Sequence, residues 1–234
     1  MSPTAVVLGV GPGLGMSIAH RFGREGYDVV LISRSSARHA GYLAELADAG
    51  VTARAVAVDV SDRARLLSTL DEIGPVDVVY YGPAAANMET MPGEITKTTS
   101  DETRAAMDMV YPAIDVVEHV LPGVVERGGG VLLAGGLSSV VPLPILGALA
   151  LSSAALRNYA VTLNAALADK GAYAGTLTIG GVIERGDIHK LVEASPEQFG
   201  GLAGHTLNPD DIAETAWQMF VKRDRAEEVF NVLS

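Results

Sequence analysis

Short apolar runs rich in β-branched residues recur along the chain, separated by longer stretches with helical spacing. Thr4–Leu8 (TAVVL) is the first and runs into glycines. Asp28–Ile32, Arg54–Val58, Val76–Tyr81, Val131–Ala134, Gly175–Ile179 and Glu228–Val232 follow. These runs are nearly continuous rather than alternating. That pattern predicts strands covered on both faces, hence a parallel sheet.

Helices are predicted between them. Leu14–Glu25 carries apolar residues at Leu14, Ile18, Ala19 and Phe22, which share one helical face. Ala37–Ala49 reads as a second helix. Ser61 is expected to cap a third, running to about Glu72, with Asp62 complementing the helix dipole. Long helices are expected over Asp101–Val125 and Leu146–Asp169. Pro209, followed by Asp210 and Asp211, opens the last one, through Phe220. Strand–helix alternation of this kind predicts an α/β fold. It is a doubly wound (Rossmann) parallel sheet of about seven strands with helices on both faces, in a single domain spanning 1–234. The stretch 183–206 fits no regular element well and is expected to form a mobile flap.

Composition narrows the chemistry. Of 234 residues, 48% are hydrophobic and 19% charged, enough apolar residues for a buried core. Seventeen Lys and Arg against 28 Asp and Glu give a formal charge of −11. So acidic a surface argues against nucleic acid as a partner, since it repels phosphate backbones. There is no cysteine, which excludes disulfides, Cys–zinc sites and thiol nucleophiles. The five His show no metal-ligand spacing, so no metal is expected. No stretch approaches 18 uninterrupted apolar residues, and the start, MSPTAVVLGV, lacks a basic n-region. The expectation is a cytoplasmic protein without a membrane partner.

The densest motif is GVGPGLG, Gly9 to Gly15, between the first strand and the first helix. A turn that must bring backbone N–H groups close to a pyrophosphate needs residues without Cβ, and the following helix N-terminus adds partial positive charge. Gly9, Gly11, Gly13, Leu14 and Gly15 are therefore candidate cofactor contacts. The second strand ends at Ser33, Arg34 and Ser35. An acidic residue there would suit a ribose 2′-hydroxyl. Arg34 with neighbouring hydroxyls suits a 2′-phosphate, so NADP is preferred to NAD. Asp59, with Val60, ends the third strand. Its carboxylate can accept from an adenine amino group or cap the next helix. Gly82 completes the candidate set.

These features resemble the short-chain dehydrogenase/reductase family over essentially the whole chain. The residues carrying the resemblance are the Gly9–Gly15 turn, Asp59-Val60, Val120-Leu121-Pro122, Ser138-Ser139, the SAAL run Ser153–Leu156 and the PDDIAE run Pro209–Glu214. The resemblance implies a Rossmann fold, a nicotinamide cofactor and oxidoreductase chemistry. It also implies a tyrosine acid/base with a lysine four residues on, a serine that polarises the substrate carbonyl, and an asparagine earlier in the chain. Aligned through the SAAL run, the tyrosine position holds Leu149 and the lysine position Ser153. Met109 stands in for the asparagine. Tyr80, Tyr81, Gly82 and Pro83 replace the family's N-A-G stretch. Only the serine survives, as Ser139 or Ser138. Tyrosine needs a cationic neighbour to work near neutral pH, so the standard triad is absent.

Residues that could replace the missing groups are Tyr80 and Tyr81, one expected in the cleft and the other in packing, and Tyr111, Tyr159, Arg157, His189 and His205. Ser139 and Tyr81 are the catalytic candidates. In the place of the family's nicotinamide-contacting segment, Gly180 and Gly181 are expected to keep a close backbone approach. The leading reading is an NADP(H)-binding oxidoreductase with a degenerate triad, acting on an unidentified small molecule. A dinucleotide-binding or sensing protein, and a non-redox cyclase or isomerase with a cleft lined by Tyr80, Tyr81, Met109 and Leu149, remain open. The resemblance further implies a homo-oligomer built through the helices near 101–125 and 146–169.

Overall fold

The computed structural model describes residues 2–83, 93–199 and 201–233. The first half alternates β1 (Thr4–Leu8), α1 (Leu14–Arg24), β2 (Asp28–Ser33), α2 (His39–Asp48), β3 (Ala53–Ala57), α3 (Arg63–Ile73) and β4 (Val78–Tyr81). Then come α4 (Ser100–Met107), α5 (Tyr111–Arg127), β5 (Gly130–Gly136), α6 (Gly147–Leu167) and β6 (Tyr173–Gly180). The chain continues with β7 (Val182–Ile183), α7 (Asp187–Ala194), α8 (Pro196–Phe199), β8 (Thr206–Leu207), α9 (Pro209–Lys222) and β9 (Glu227–Asn231).

Seven strands form one parallel sheet in the order β3-β2-β1-β4-β5-β6-β9. The winding reverses between β1 and β4, which opens a crevice at the carboxyl ends of those strands. Alternate residues of each strand enter opposite cores. Ala5 and Val7 pack under α1 and α9 with Phe22, Tyr173 and Phe220, whereas Val6 and Leu8 pack under α3, α5 and α6 with Leu66, Val116 and Leu167. Both faces are therefore apolar, which is why the runs read as continuous. Burying each such Val, Leu or Phe side chain contributes about 1.5–3 kcal/mol. No described helix is long and apolar enough to cross a membrane.

Three expectations are corrected. The helix expected over 101–125 is two helices, broken at Asp108–Val110. Pro112 lies at the start of α5. It has no N–H for the Asp108 carbonyl, and its ring clashes with that carbonyl in a continuous helix. The cap of α3 is Asp62, whose carboxylate accepts from the Arg65 N–H at 3.0 Å. Ser61 donates its hydroxyl to Asp59 instead, at 2.8 Å. Finally, 183–206 contains α7 and α8, and parallel pairing of Val182 with Thr206 and Ile183 with Leu207 ties its ends together. Val182, Val192 and Phe199 form a small core of its own. Its described residues thus contain regular elements, and we refer to the segment as the strap.

Candidate active site

A cleft of about 840 Å³ opens at the carboxyl ends of β1, β2 and β4. Its walls include Gly9, Val10 and Gly11 from the first turn, Arg34, Ser35 and Arg38 after β2, and Asp59 and Val60 after β3. Tyr81, Asp108 and Met109 close one side, and Asp187, Ile188 and Leu191 of the strap cover it.

The glycines of the first turn do different work. Gly9 has φ of 82°, and a Cβ there would run into the Pro83 backbone. A Cβ on Gly15 would lie 2.8 Å from the Val10 Cα, so this glycine lets α1 pack on its own turn. Gly11 faces open space and is the position at which a ligand can approach the backbone. Gly13 underlies the strap, with a notional Cβ 3.0 Å from the Glu184 carbonyl. It is the N-cap of α1, and no side chain among the described residues caps that helix. First-turn amides without a side-chain acceptor are the usual seat of an anion. The Leu14 side chain is buried in the core, so only its main chain can serve a ligand. Gly82 is buttressed within the fold: its N–H donates to the Leu8 carbonyl at 3.0 Å, and the Tyr80 ring fills the space of its Cβ.

Beyond β2, the Arg34 side chain is exposed and has no hydrogen bond or ion pair among the described residues. The neighbouring hydroxyls are engaged locally. Ser33 Oγ lies 3.0 Å from the Ser35 carbonyl and 2.8 Å from Nε2 of the buried His39. Ser35 Oγ accepts from the Ala37 N–H at 3.2 Å. Asp59 Oδ1 accepts from the Ser61 N–H and hydroxyl. Those bonds, with the field of Arg34, hold its carboxyl below the usual range. The second guanidinium in the cleft, Arg38, lies four residues beyond Arg34 and was not singled out from the sequence. Both lie in the segment between β2 and α2, and closeness in sequence to Arg34 is the signal it carries.

At the sheet's centre the candidates separate. Tyr81 enters the cleft wall and donates to the Met109 carbonyl at 3.2 Å, while Tyr80 packs on the opposite face of the sheet in the core beneath α1. Burial pushes both phenols well above their ordinary value. Ser139 is turned back on itself, its hydroxyl donating to the Gly136 carbonyl at 2.8 Å. Ser138 and Ser153 converge on Gly136: a Cβ built there would lie 3.4 Å from Ser153 Oγ and 3.7 Å from Ser138 Oγ. Leu149 and Tyr80 are not among the residues walling the cleft, which corrects the apolar lining expected from them.

Arg157 forms an ion pair with Glu227 at 2.6 Å, and Thr178 donates to the same carboxylate at 2.7 Å, so this guanidinium is committed within the fold and not to the cleft. Gly180 and Gly181 serve internal packing, against Leu137 and against Leu207 and Val232. His189 lies 3.6 Å from Glu193, and His205 bonds the Val232 carbonyl, so neither points to a catalyst. No group of three or more potential metal ligands occurs among the described residues.

A sequence model described as short chain dehydrogenase matches residues 3–193. A very-long-chain 3-oxoacyl-CoA reductase of Laccaria bicolor is 29% identical over 147 residues, covering 61% of this chain and 44% of that protein. A short chain dehydrogenase of Pseudocercospora fijiensis is 29% identical over 186 residues, 76% of this chain and 59% of that protein. This chain thus spans about half the length of such relatives. Among solved structures, a 3-oxoacyl (acyl-carrier-protein) reductase of Agrobacterium tumefaciens with NADP bound superposes with a TM-score of 0.83 at 22% identity, covering 98% of this chain and 92% of that one. An NADPH-bound short chain oxidoreductase of Pseudomonas aeruginosa containing an atypical catalytic center gives 0.82 at 18% identity, with 97% and 94% coverage. At these identities the structural likeness is one of fold.

Proposed function

This chain belongs to the short-chain dehydrogenase/reductase family, and from that premise we propose that it is an oxidoreductase that binds NADP(H), and NAD(H) less well, with a proton-delivery site that departs from the family's pattern. The observation that carries the reading is the cleft itself. Gly11 leaves the first turn open, the head of α1 has no side-chain cap, and Arg34 stands free in the same cleft. These are the donors a diphosphate and a 2′-phosphate require. The structural neighbour with an atypical center and bound NADPH is the kind of protein this reading supposes.

When bound, NADPH supplies a hydride to an electrophilic carbon. The chain's own residues do the rest. The Gly11–Gly15 turn and the α1 amides would hold the diphosphate. Arg34 would hold the 2′-phosphate, and Asp59 would face the adenosine end. At the reaction end, the Ser138 and Ser153 hydroxyls near Gly136 can donate hydrogen bonds to a substrate oxygen, with the proton drawn from water. Ser139 is committed to its own backbone, and Tyr81 to Met109. Without a tyrosine–lysine pair, turnover is expected about 10²–10⁴-fold below that of a complete triad.

A second reading, a dinucleotide-binding or sensing protein, is favoured by Leu149 and Ser153 at the tyrosine and lysine positions. A panel of carbonyl substrates at high protein concentration separates the two. NADPH oxidation supports the enzyme, whereas a thermal shift with NADPH and no turnover on any substrate supports the sensor. A homo-oligomer is proposed through α5 and α6, where Tyr111 is 54% and Leu151 45% exposed.

A further inference from the structure

Two charged side chains meet over the cleft. Arg38, the residue before α2, pairs with Asp187, the first residue of α7, at 2.7 Å. The strap reaches this contact from the far side of the first turn. There its base lies on Gly13, and Arg185, with φ of 65°, holds Ser17 at 3.0 Å and Asp210 at 2.8 Å. Between these two attachments, Ile188 and Leu191 wall the cleft. Of the two guanidiniums in the cleft, Arg34 is uncommitted among the described residues and Arg38 is held by a carboxylate of the chain.

We propose that Asp187 holds down the preference for a phosphorylated adenosine: it occupies Arg38 as an internal anion, and a ribose 2′-phosphate takes Arg38 only by displacing it and releasing the start of α7. The inference rests on the NADP(H) reading above. A phosphate monoester carries about −1.5 to −2 charge and three strong acceptors, against one negative charge on Asp187. Arg34 lines the same cleft, and the Asp187 carboxylate pairs with Arg38 alone. A ribose 2′-hydroxyl is neutral and leaves the ion pair standing. Lys190, three residues along α7, lies close enough to act on Asp187. Binding and release are reciprocal: whatever the pair contributes to the docked strap is subtracted from phosphate binding. Both side chains are about half exposed, 53% and 57%. An exposed pair shifts such an equilibrium by no more than about fivefold.

The test titrates 2′,5′-ADP and 5′-AMP separately into the full chain and into Asp187→Asn, by calorimetry. The expected result is a gain of about two- to fivefold for 2′,5′-ADP and little change for 5′-AMP. Asp187→Asn combined with Arg38→Gln loses that gain. In the unaltered chain, amides over 187–194 exchange faster with 2′,5′-ADP bound than with 5′-AMP bound. Equal tightening of both nucleotides would make the strap a cover indifferent to phosphate and overturn the proposal. So would an unchanged ratio. Failure of both nucleotides to bind either form overturns the dinucleotide reading itself, and this inference with it.

Discussion

The Tyr81 hydroxyl donates to the Met109 main-chain carbonyl, 3.2 Å away, at the break between α4 and α5. The phenol at the cleft wall is thereby tied to a structural joint. Its burial keeps it protonated well beyond neutral pH. Tyr81→Phe is expected to lower stability by about 0.5–1.5 kcal/mol, the worth of one hydrogen bond, and to leave any NADPH turnover within a few-fold. Urea unfolding and a steady-state assay check both. A hundredfold loss of kcat at unchanged stability would make Tyr81 a catalyst.

The first-turn glycines are expected to separate folding from binding. Gly9→Ala places a Cβ on the Pro83 backbone at positive φ and should destabilise by about 2 kcal/mol or more. Gly11→Ala meets no atom of the described residues. It should leave the melting temperature unchanged while weakening NADPH binding, because the methyl enters the ligand's approach. Thermal unfolding and calorimetry on both variants decide this.

Arg157 and Glu227 should give the fold an acid-sensitive joint. The hydrogen bonds from Arg157 chiefly, and from Thr178, hold the Glu227 carboxyl below its ordinary value. A depressed folded-state value means stability that is complete above the ordinary carboxylate range, near pH 4.3, and is lost as pH falls through the depressed value. The stability gap between the unaltered chain and Glu227→Gln should therefore be widest near neutrality and shrink below about pH 4. A gap that stays constant with pH would assign the loss to packing.

Restoring the family's residues tests the reaction end. Ser153 Oγ already faces Gly136, and Leu149 lies one turn earlier on α6. Leu149→Tyr with Ser153→Lys is expected to raise carbonyl reduction by about 10²-fold or more, and Leu149→Tyr alone by much less, since the phenol then lacks its cation. No gain from the double variant would show that the cleft cannot present a substrate to α6.

The central strands were legible because each is buried on both faces, as Val6 and Val7 show by entering opposite cores. The first turn was legible because only glycine fits Gly9 and Gly15. The strap was not. Its helices are short, the N-cap of α7 is Gly186, which has no side chain to cap with, and Val182–Thr206 pairing spans 24 positions of ambiguous spacing. The break before α5 was hidden by apolar periodicity that runs on past it, although Pro112 marked it. Arg38 and Asp187 are 149 residues apart, and no local pattern announces their meeting.

The most direct measurement is calorimetric titration of NADPH and NADH into the chain and into Arg34→Ala. The account predicts tighter binding of NADPH, and a loss of about 10- to 100-fold in NADPH affinity in the variant with NADH little changed, as expected for one charged hydrogen-bonded contact. Equal affinity for the two dinucleotides, unaltered by removing Arg34, or binding of neither, would contradict it.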